Sequence, residues 1–292
     1  MSRRRRVTAI ASVVAIAAAG TIAVVRGPDL WHRYGDRLFS SERCTVVVDG
    51  DSRSLTAEQA DNAALIVAVG IARDLPDKAE TIALAVALQE SDLRNLEVGD
   101  RDSLGLFQQR PSQGWGTPEQ ILDPYHATNA FYDALISVDG WDGMTVAEAA
   151  QAVQRSGFPD AYSNHEDAAL LWQRALAGTG GTQAVTCSLA TDTPAGDAEA
   201  TFAARVHADF GPATPLTFAP EKDGVVQVVL DLPDTRSRDA FASWAVSVAS
   251  GFPIERVSWC GGSWSRRTAT WETDAGNEGC ASARLTVDVR VA

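Results

Sequence analysis

The stretch Ala79–Leu88, with Ile82, Ala83, Leu84, Ala85, Val86, Ala87 and Leu88 in unbroken succession, is the feature that most limits what this chain can become. Pro76 suits the first turn of a helix, so the expected helix runs from about Asp77 to Ser91. It is apolar almost all round, and a helix without a polar face is stable only inside a domain. The flanking sequence supplies the shell. Thr56-Ala57-Glu58-Gln59 has the form of a capping box, opening a helix to about Ala72. Further helices are expected around 118–138, 145–155 and 166–177. A short strand, Thr45–Val48, with a turn at Asp49-Gly50-Asp51, precedes them.

Composition changes after Gly178-Thr179-Gly180-Gly181. Residues 188–197 are small, polar and rich in turn formers, marking a linker. Beyond them Val225–Leu230 reads as a buried strand and Asp239–Ser250 as an amphipathic helix. Ile254–Cys260 and Ala283–Val291 alternate like half-buried strands, and 198–208 is a further helix. The expected fold class is thus a mainly α domain over 44–187, followed by a small α+β domain over 198–292. Trp259, Trp264 and Trp271 surround Cys260-Gly261-Gly262 and Arg266-Arg267. They form either a binding surface, for glycan or a protein partner, or a small tryptophan core around a disulfide.

Val7–Val25 is uncharged over 19 residues and follows Arg3-Arg4-Arg5-Arg6. At about 1.5 Å per residue it nears the hydrocarbon thickness of a bilayer. Residues 1–26 are read as a transmembrane anchor, with a cleaved signal segment as the alternative. Residues 27–43 are then a stalk, and the remainder is extracytoplasmic by the positive-inside rule. The expected localisation is therefore single-pass in the cell membrane, or secreted if the segment is cleaved. Cys44, Cys187, Cys260 and Cys280 show no metal-ligand spacing and fit disulfides in an oxidising space. Of three connectivities, Cys44–Cys187 with Cys260–Cys280 is favoured because each pair closes one domain. No metal is expected. The net charge of −13, with only two lysines, argues against nucleic acid, whose binding rests on neutralising phosphates.

The buried helix ends in Gln89-Glu90-Ser91. A polar loop follows, then Ser103-Leu104-Gly105-Leu106-Phe107-Gln108-Gln109-Arg110-Pro111. Here the sequence resembles the lysozyme-like soluble lytic transglycosylase family, which cleaves peptidoglycan. That family shows a Glu-Ser pair at a helix end, then Gly-Leu-Met-Gln and a Pro. Phe107 stands where the family has Met, and Leu122-Asp123-Pro124 with Asn129-Ala130 resembles its next helix. The third motif, aromatic-Asn-Ala-Gly and a later Tyr, is matched poorly by Ala152-Val153-Gln154-Arg155-Ser156-Gly157 with Tyr162. The resemblance covers about residues 55–178.

Glycosidic cleavage needs a carboxylic acid still protonated near neutral pH. Glu90 is the expected catalytic residue, its pKa raised by apolar surroundings and, to a smaller extent, by the helix C-terminus. The resemblance implies that this Glu acts alone. It protonates the leaving oxygen, then accepts the proton of the sugar's 6-hydroxyl, and no cofactor is needed. Hydrolysis would require a second carboxylate, for which Asp100 and Asp102 are candidates. Ser91, Ser103, Gly105, Gln108, Gln109, Trp115, Gln151, Gln154 and Tyr162 are candidate substrate contacts, and Arg110 a candidate for a peptide-stem carboxylate. The expected partners are peptidoglycan strands and, through the N-terminal helix, the cytoplasmic membrane. A muramidase and a non-catalytic cell-wall scaffold are the rival functions. No G-x-S-x-G elbow is present, which disfavours a serine hydrolase.

Overall fold

The computed structural model describes residues 42–157, 159–190, 197–274 and 282–291. The chain opens with a hairpin, β1 (Arg43–Val48) and β2 (Asp51–Thr56), turning at Asp49 and Gly50, both at positive φ. Helix α1 (Ala57–Ala72) starts directly from β2 through the expected capping box. Thr56 N donates to Gln59 Oε1 at 2.8 Å and Gln59 N to Thr56 Oγ1 at 3.3 Å. Helix α2 (Asp77–Ser91) follows, with Pro76 one position earlier than expected, as its N-cap.

The expected helix over 118–138 divides into α3 (Pro118–Leu122) and α4 (Pro124–Ile136). Pro124 has no N–H to continue a ladder, and the Asp123 side chain instead accepts from Tyr125 N at 2.9 Å, restarting the helix. Then come α5 (Val146–Gln154), a 3-10 turn (Pro159–His165) and α6 (Glu166–Leu176). Strand β3 (Val185–Ser188) returns to β1, giving an antiparallel sheet of order β2-β1-β3.

The C-terminal part contains α7 (Ala198–Phe210), β4 (Thr217–Phe218), β5 (Val225–Asp231) and α8 (Thr235–Ser247). It continues with β6 (Ile254–Trp259), β7 (Gly262–Ser265), β8 (Thr270–Thr273) and β9 (Arg284–Arg290). Its antiparallel sheet has the order β4-β5-β9-β6-β7-β8. Helix α8 begins four residues before the expected start because the Asp234 side chain accepts from Ser237 N at 2.7 Å. From Glu42 onward the described residues form one compact unit. Helix α8 packs on α1, α6 and β3, and α7 packs on α1.

Two expectations need correction. The fold is mixed α/β rather than a mainly α domain with a small appendage, because nine strands in two antiparallel sheets accompany eight helices among the described residues. The missed strands are short: Asp51–Thr56 is largely polar and exposed, and Val185–Ser188 is recognisable only through its pairing with β1. The single-pass membrane placement is likewise not supported by the described residues. No helix among the described residues is long and apolar enough to cross a membrane. The all-round apolar α2 has 15 residues, about 22 Å against roughly 30 Å of hydrocarbon. The stretch 7–25 on which that placement rested, and residues 27–41 of the expected stalk 27–43, lie outside the described residues, while Arg43 already belongs to β1.

Cys44 and Cys187 face each other across β1 and β3 and form the expected disulfide. This fits an oxidising compartment. Cys260 is likewise disulfide-bonded, while Cys280, its expected partner, lies outside the described residues. Trp264 is fully buried, Trp259 and Trp271 meet edge to face at 5.5 Å, and Trp271 Nε1 donates to Val185 O at 2.7 Å. The buried Arg266 donates to the carbonyls of Ile254 (2.8 Å), Phe252 (2.8 Å) and Ala190 (2.6 Å), and also to that of Ala249.

Candidate functional site

The end of α2 is fixed by α1. After Ser91 the backbone turns left-handed at two successive residues, Asp92 (φ 58°) and Leu93 (φ 57°), a conformation that non-glycine residues hold only with support. Gln59 Nε2 donates to Asp92 O at 2.7 Å and Asn62 Nδ2 to Leu93 O at 2.8 Å. Gln59 therefore closes the start of its own helix with Oε1 and holds the end of the next with Nε2.

Glu90 is half-buried in the last turn of α2. Its Oε1 accepts a 2.7 Å hydrogen bond from the Tyr162 hydroxyl in the 3-10 turn. Its Oε2 accepts none among the described residues. Burial pushes the Glu90 carboxyl above its ordinary pKa, and the Tyr162 hydrogen bond opposes that shift. Tyr162 itself is fully buried. Burial and the neighbouring Glu90 raise its own pKa, so it remains a hydrogen-bond donor at neutral pH. Next to the pair, Gln89 Oε1 lies 3.0 Å from His165 Nε2.

The second wall is the loop 104–109. Leu104 and Gln109 exchange backbone hydrogen bonds at 2.9 and 3.0 Å, closing a tight turn. Gly105 sits at φ 74°, where a Cβ would stand 2.6 Å from Ile121 O. The glycine is thus required by the approach of α3. Ser91 is buried, with its hydroxyl 2.6 Å from Leu106 O, so it ties the helix end to this loop. Gln154 Nε2, at the end of α5, donates to Phe107 O at 2.8 Å. The Phe107 ring is buried and stacked on Phe131 at 4.7 Å.

The structure therefore brings Glu90, Ser91, Gln154 and Tyr162 to one place, joined through the loop that carries Gly105 and Gln108. Gln154 and Tyr162 belong to the poorly matched third motif, yet both reach the site. Other candidates have structural partners. Gln109 is 1% exposed and donates to Ala127 O at 3.0 Å, Ser103 is buried, and Gln151 Nε2 donates to Ser156 O at 2.9 Å. Gln108 Nε2 donates to Gly105 O within its own turn at 3.2 Å. Trp115 is half-buried against the core, its carbonyl 3.4 Å from His126 Nε2.

The two candidate second carboxylates differ. Asp102 accepts from Arg110 Nε at 2.7 Å and from Ser112 N at 2.9 Å. Hydrogen bonds from Ser112 and Arg110 hold it well below the usual carboxylate range. Arg110, expected to meet a peptide carboxylate, is already occupied by this pair. Asp100 is exposed, with Arg101 Nε 3.9 Å away.

Two buried acids escape the sequence reading. Glu80, in the first turn of α2, is 1% exposed, and Gln173 Nε2 donates to its Oε2 at 2.9 Å. Burial raises its pKa to about 8. The available signal was a Glu at the head of the apolar run. Asp209 is fully buried and accepts from Tyr125 Oη (2.5 Å), Trp244 Nε1 (2.6 Å) and Arg205 Nε (2.8 Å). A cleft of about 370 Å³ has Glu80 in its wall, together with residues of α1, α8 and the α1–α2 turn; Glu90 is not part of it.

No family model matches the chain, and comparison with curated proteins gives no match.

Proposed function

We propose that the protein cleaves peptidoglycan as a lytic transglycosylase, with Glu90 as its single acid and base. The observation that carries this reading is the state of Glu90: a half-buried carboxyl at a helix end, raised in pKa by burial, with one oxygen held by Tyr162. A carboxyl in that condition retains its proton longer than one in water, which a general acid requires. Because Oε1 accepts from Tyr162, Oε2 is the atom that carries the proton. It protonates the oxygen of the MurNAc–GlcNAc linkage as the C1–O bond breaks. The same oxygen then takes the proton from the 6-hydroxyl as O6 closes on C1, leaving a 1,6-anhydro end, while the substrate's N-acetyl group stabilises the positive centre.

The single-carboxylate course is favoured over hydrolysis by the engagement of Asp102. A carboxylate bound by both Arg110 and a backbone N–H has little basicity left to activate water. A second reading, a non-catalytic cell-wall-binding scaffold, is favoured by the third motif, where Val153 and Gln154 stand in place of an aromatic residue and Asn. Digestion of purified peptidoglycan followed by mass spectrometry separates the readings. Anhydro ends support the transglycosylase, new reducing ends a muramidase, and intact strands the scaffold. The Glu90→Gln protein is expected to yield no anhydro ends; cleavage at the parent rate would falsify the assignment.

A further inference from the structure

The cleft at the head of α2 is separate from the Glu90 chemistry, since Glu80 and Glu90 stand ten residues, about 15 Å, apart along one helix. Its wall combines the apolar side chains of Ile71, Leu75 and Ala240 with the acids Asp74, Asp77 and Glu80. Arg236 also borders it but is engaged: Nη2 donates to Asp77 Oδ1 at 2.6 Å and Nε to Ala177 O at 3.0 Å. The wall therefore keeps an excess of negative charge beside hydrocarbon. Glu80 is fixed on one side only. Oε2 accepts from Gln173, whereas Oε1 accepts no hydrogen bond from any described residue. Its place depends on Gly70, where a Cβ would lie 2.7 Å from Glu80 Cγ and 3.1 Å from Oε1. An uncommitted carboxyl oxygen on a nearly inaccessible side chain, in the wall of a cleft, is costly without a donor.

We propose that this cleft binds a small organic monocation, an alkylammonium or similar amine, whose N–H donates to Glu80 Oε1 while its hydrocarbon part lies against Ile71 and Leu75. An anion would meet Asp74 and Asp77, while the one cation of the wall, Arg236, is already held by Asp77 and the Ala177 carbonyl. A divalent metal needs several converging oxygens, and one Glu80 oxygen is already taken by the Gln173 amide. An ammonium is matched by one carboxylate and tolerates an apolar wall. The site is also coupled to pH. Asp77 on the same helix favours the protonated form of Glu80, while Arg236 on α8 and the Gln173 amide on α6 favour the carboxylate. Tyr132 on α4, also close to Gly70, is kept as a neutral phenol chiefly by its burial. Glu80 holds its proton up to about pH 8, so an ammonium displaces that proton and binds more tightly as pH rises.

The test is calorimetric titration of the full chain with n-butylammonium chloride, with n-butanol as the neutral control, at pH 6 and pH 8.5 and constant ionic strength. The expected result is saturable binding at pH 8.5, weaker by at least about tenfold at pH 6. Butanol is expected to give no saturable heat, and Glu80→Gln to abolish binding. Ser237→Leu narrows the cleft with Glu80 unchanged and is expected to weaken binding at least about tenfold. It decides the matter should Glu80→Gln fail to fold. Absence of saturable binding at pH 8.5, equal binding of butanol, or full binding by folded Glu80→Gln or Ser237→Leu would overturn the proposal. Every one of these readouts is independent of peptidoglycan cleavage.

Discussion

Tyr162 and Glu90, 72 residues apart in sequence, are joined by a 2.7 Å hydrogen bond from the phenol to the carboxyl oxygen. Donation to a carboxylate favours its charged form, so this contact offsets part of the shift that burial imposes on Glu90.

Replacing Tyr162 by Phe therefore raises the Glu90 pKa further. An enzyme that needs the protonated acid is active below that pKa, so the alkaline limb of the pH–activity profile is expected to move to higher pH. Turbidity loss of peptidoglycan suspensions across a pH series checks this. The lost hydrogen bond is also expected to cost about 1 kcal/mol of stability, read by urea unfolding.

Glu80 makes stability depend on pH in a stated direction. Its folded pKa of about 8 lies above the ordinary 4.5, so its proton stabilises the folded state. That contribution is fully present below pH 4.5 and is lost as pH rises through 8. Unfolding free energy is expected to fall by on the order of a few kcal/mol between pH 5 and 8.5. In Glu80→Gln that part of the slope disappears. Parallel urea titrations at the two pH values decide it.

Asp209 gathers three donors, from Tyr125 on α4, Arg205 on α7 and Trp244 on α8. Asp209→Ala leaves a guanidinium, a phenol and an indole without this acceptor. The expected cost is about 3–5 kcal/mol, the range for breaking a buried ion pair by removing one partner. Chemical denaturation measures it.

The Cys44–Cys187 disulfide spans 143 residues of sequence. In the chain-entropy account a loop of that size is worth about 5 kcal/mol at most. Cys187→Ala, which deletes the bridge, is expected to lower stability by about 2–5 kcal/mol. Adding reductant should then leave the contribution of this bridge unchanged in the variant, in contrast to the parent.

Much of the helical framework was legible in the residues. The capping box at Thr56 and Gln59, the Pro76 entry and the apolar circumference of α2 are local signals, and each acts within a few residues of where it is read. The strand pairing was less legible. Val185–Ser188 acquires its meaning only opposite Arg43–Val46, and polar Asp51–Thr56 has little apolar alternation to report. Within the candidate site, Glu90 was visible because a charge ends an apolar run. The service of Gln154 to the Phe107 carbonyl and the contact of Tyr162 with Glu90 depend on how α5 and the 3-10 turn pack against α2.

The sequence by itself determined that α2 lies inside and that its last turn presents a carboxyl, since hydrophobic periodicity and capping are properties of neighbouring residues. Only the tertiary structure decided the protonation setting of Glu90, the engagement of Asp102 and the half-satisfied state of Glu80. Burial, and hydrogen bonds between segments far apart in the chain, set the energy of a charge, and neither exists before the chain has folded.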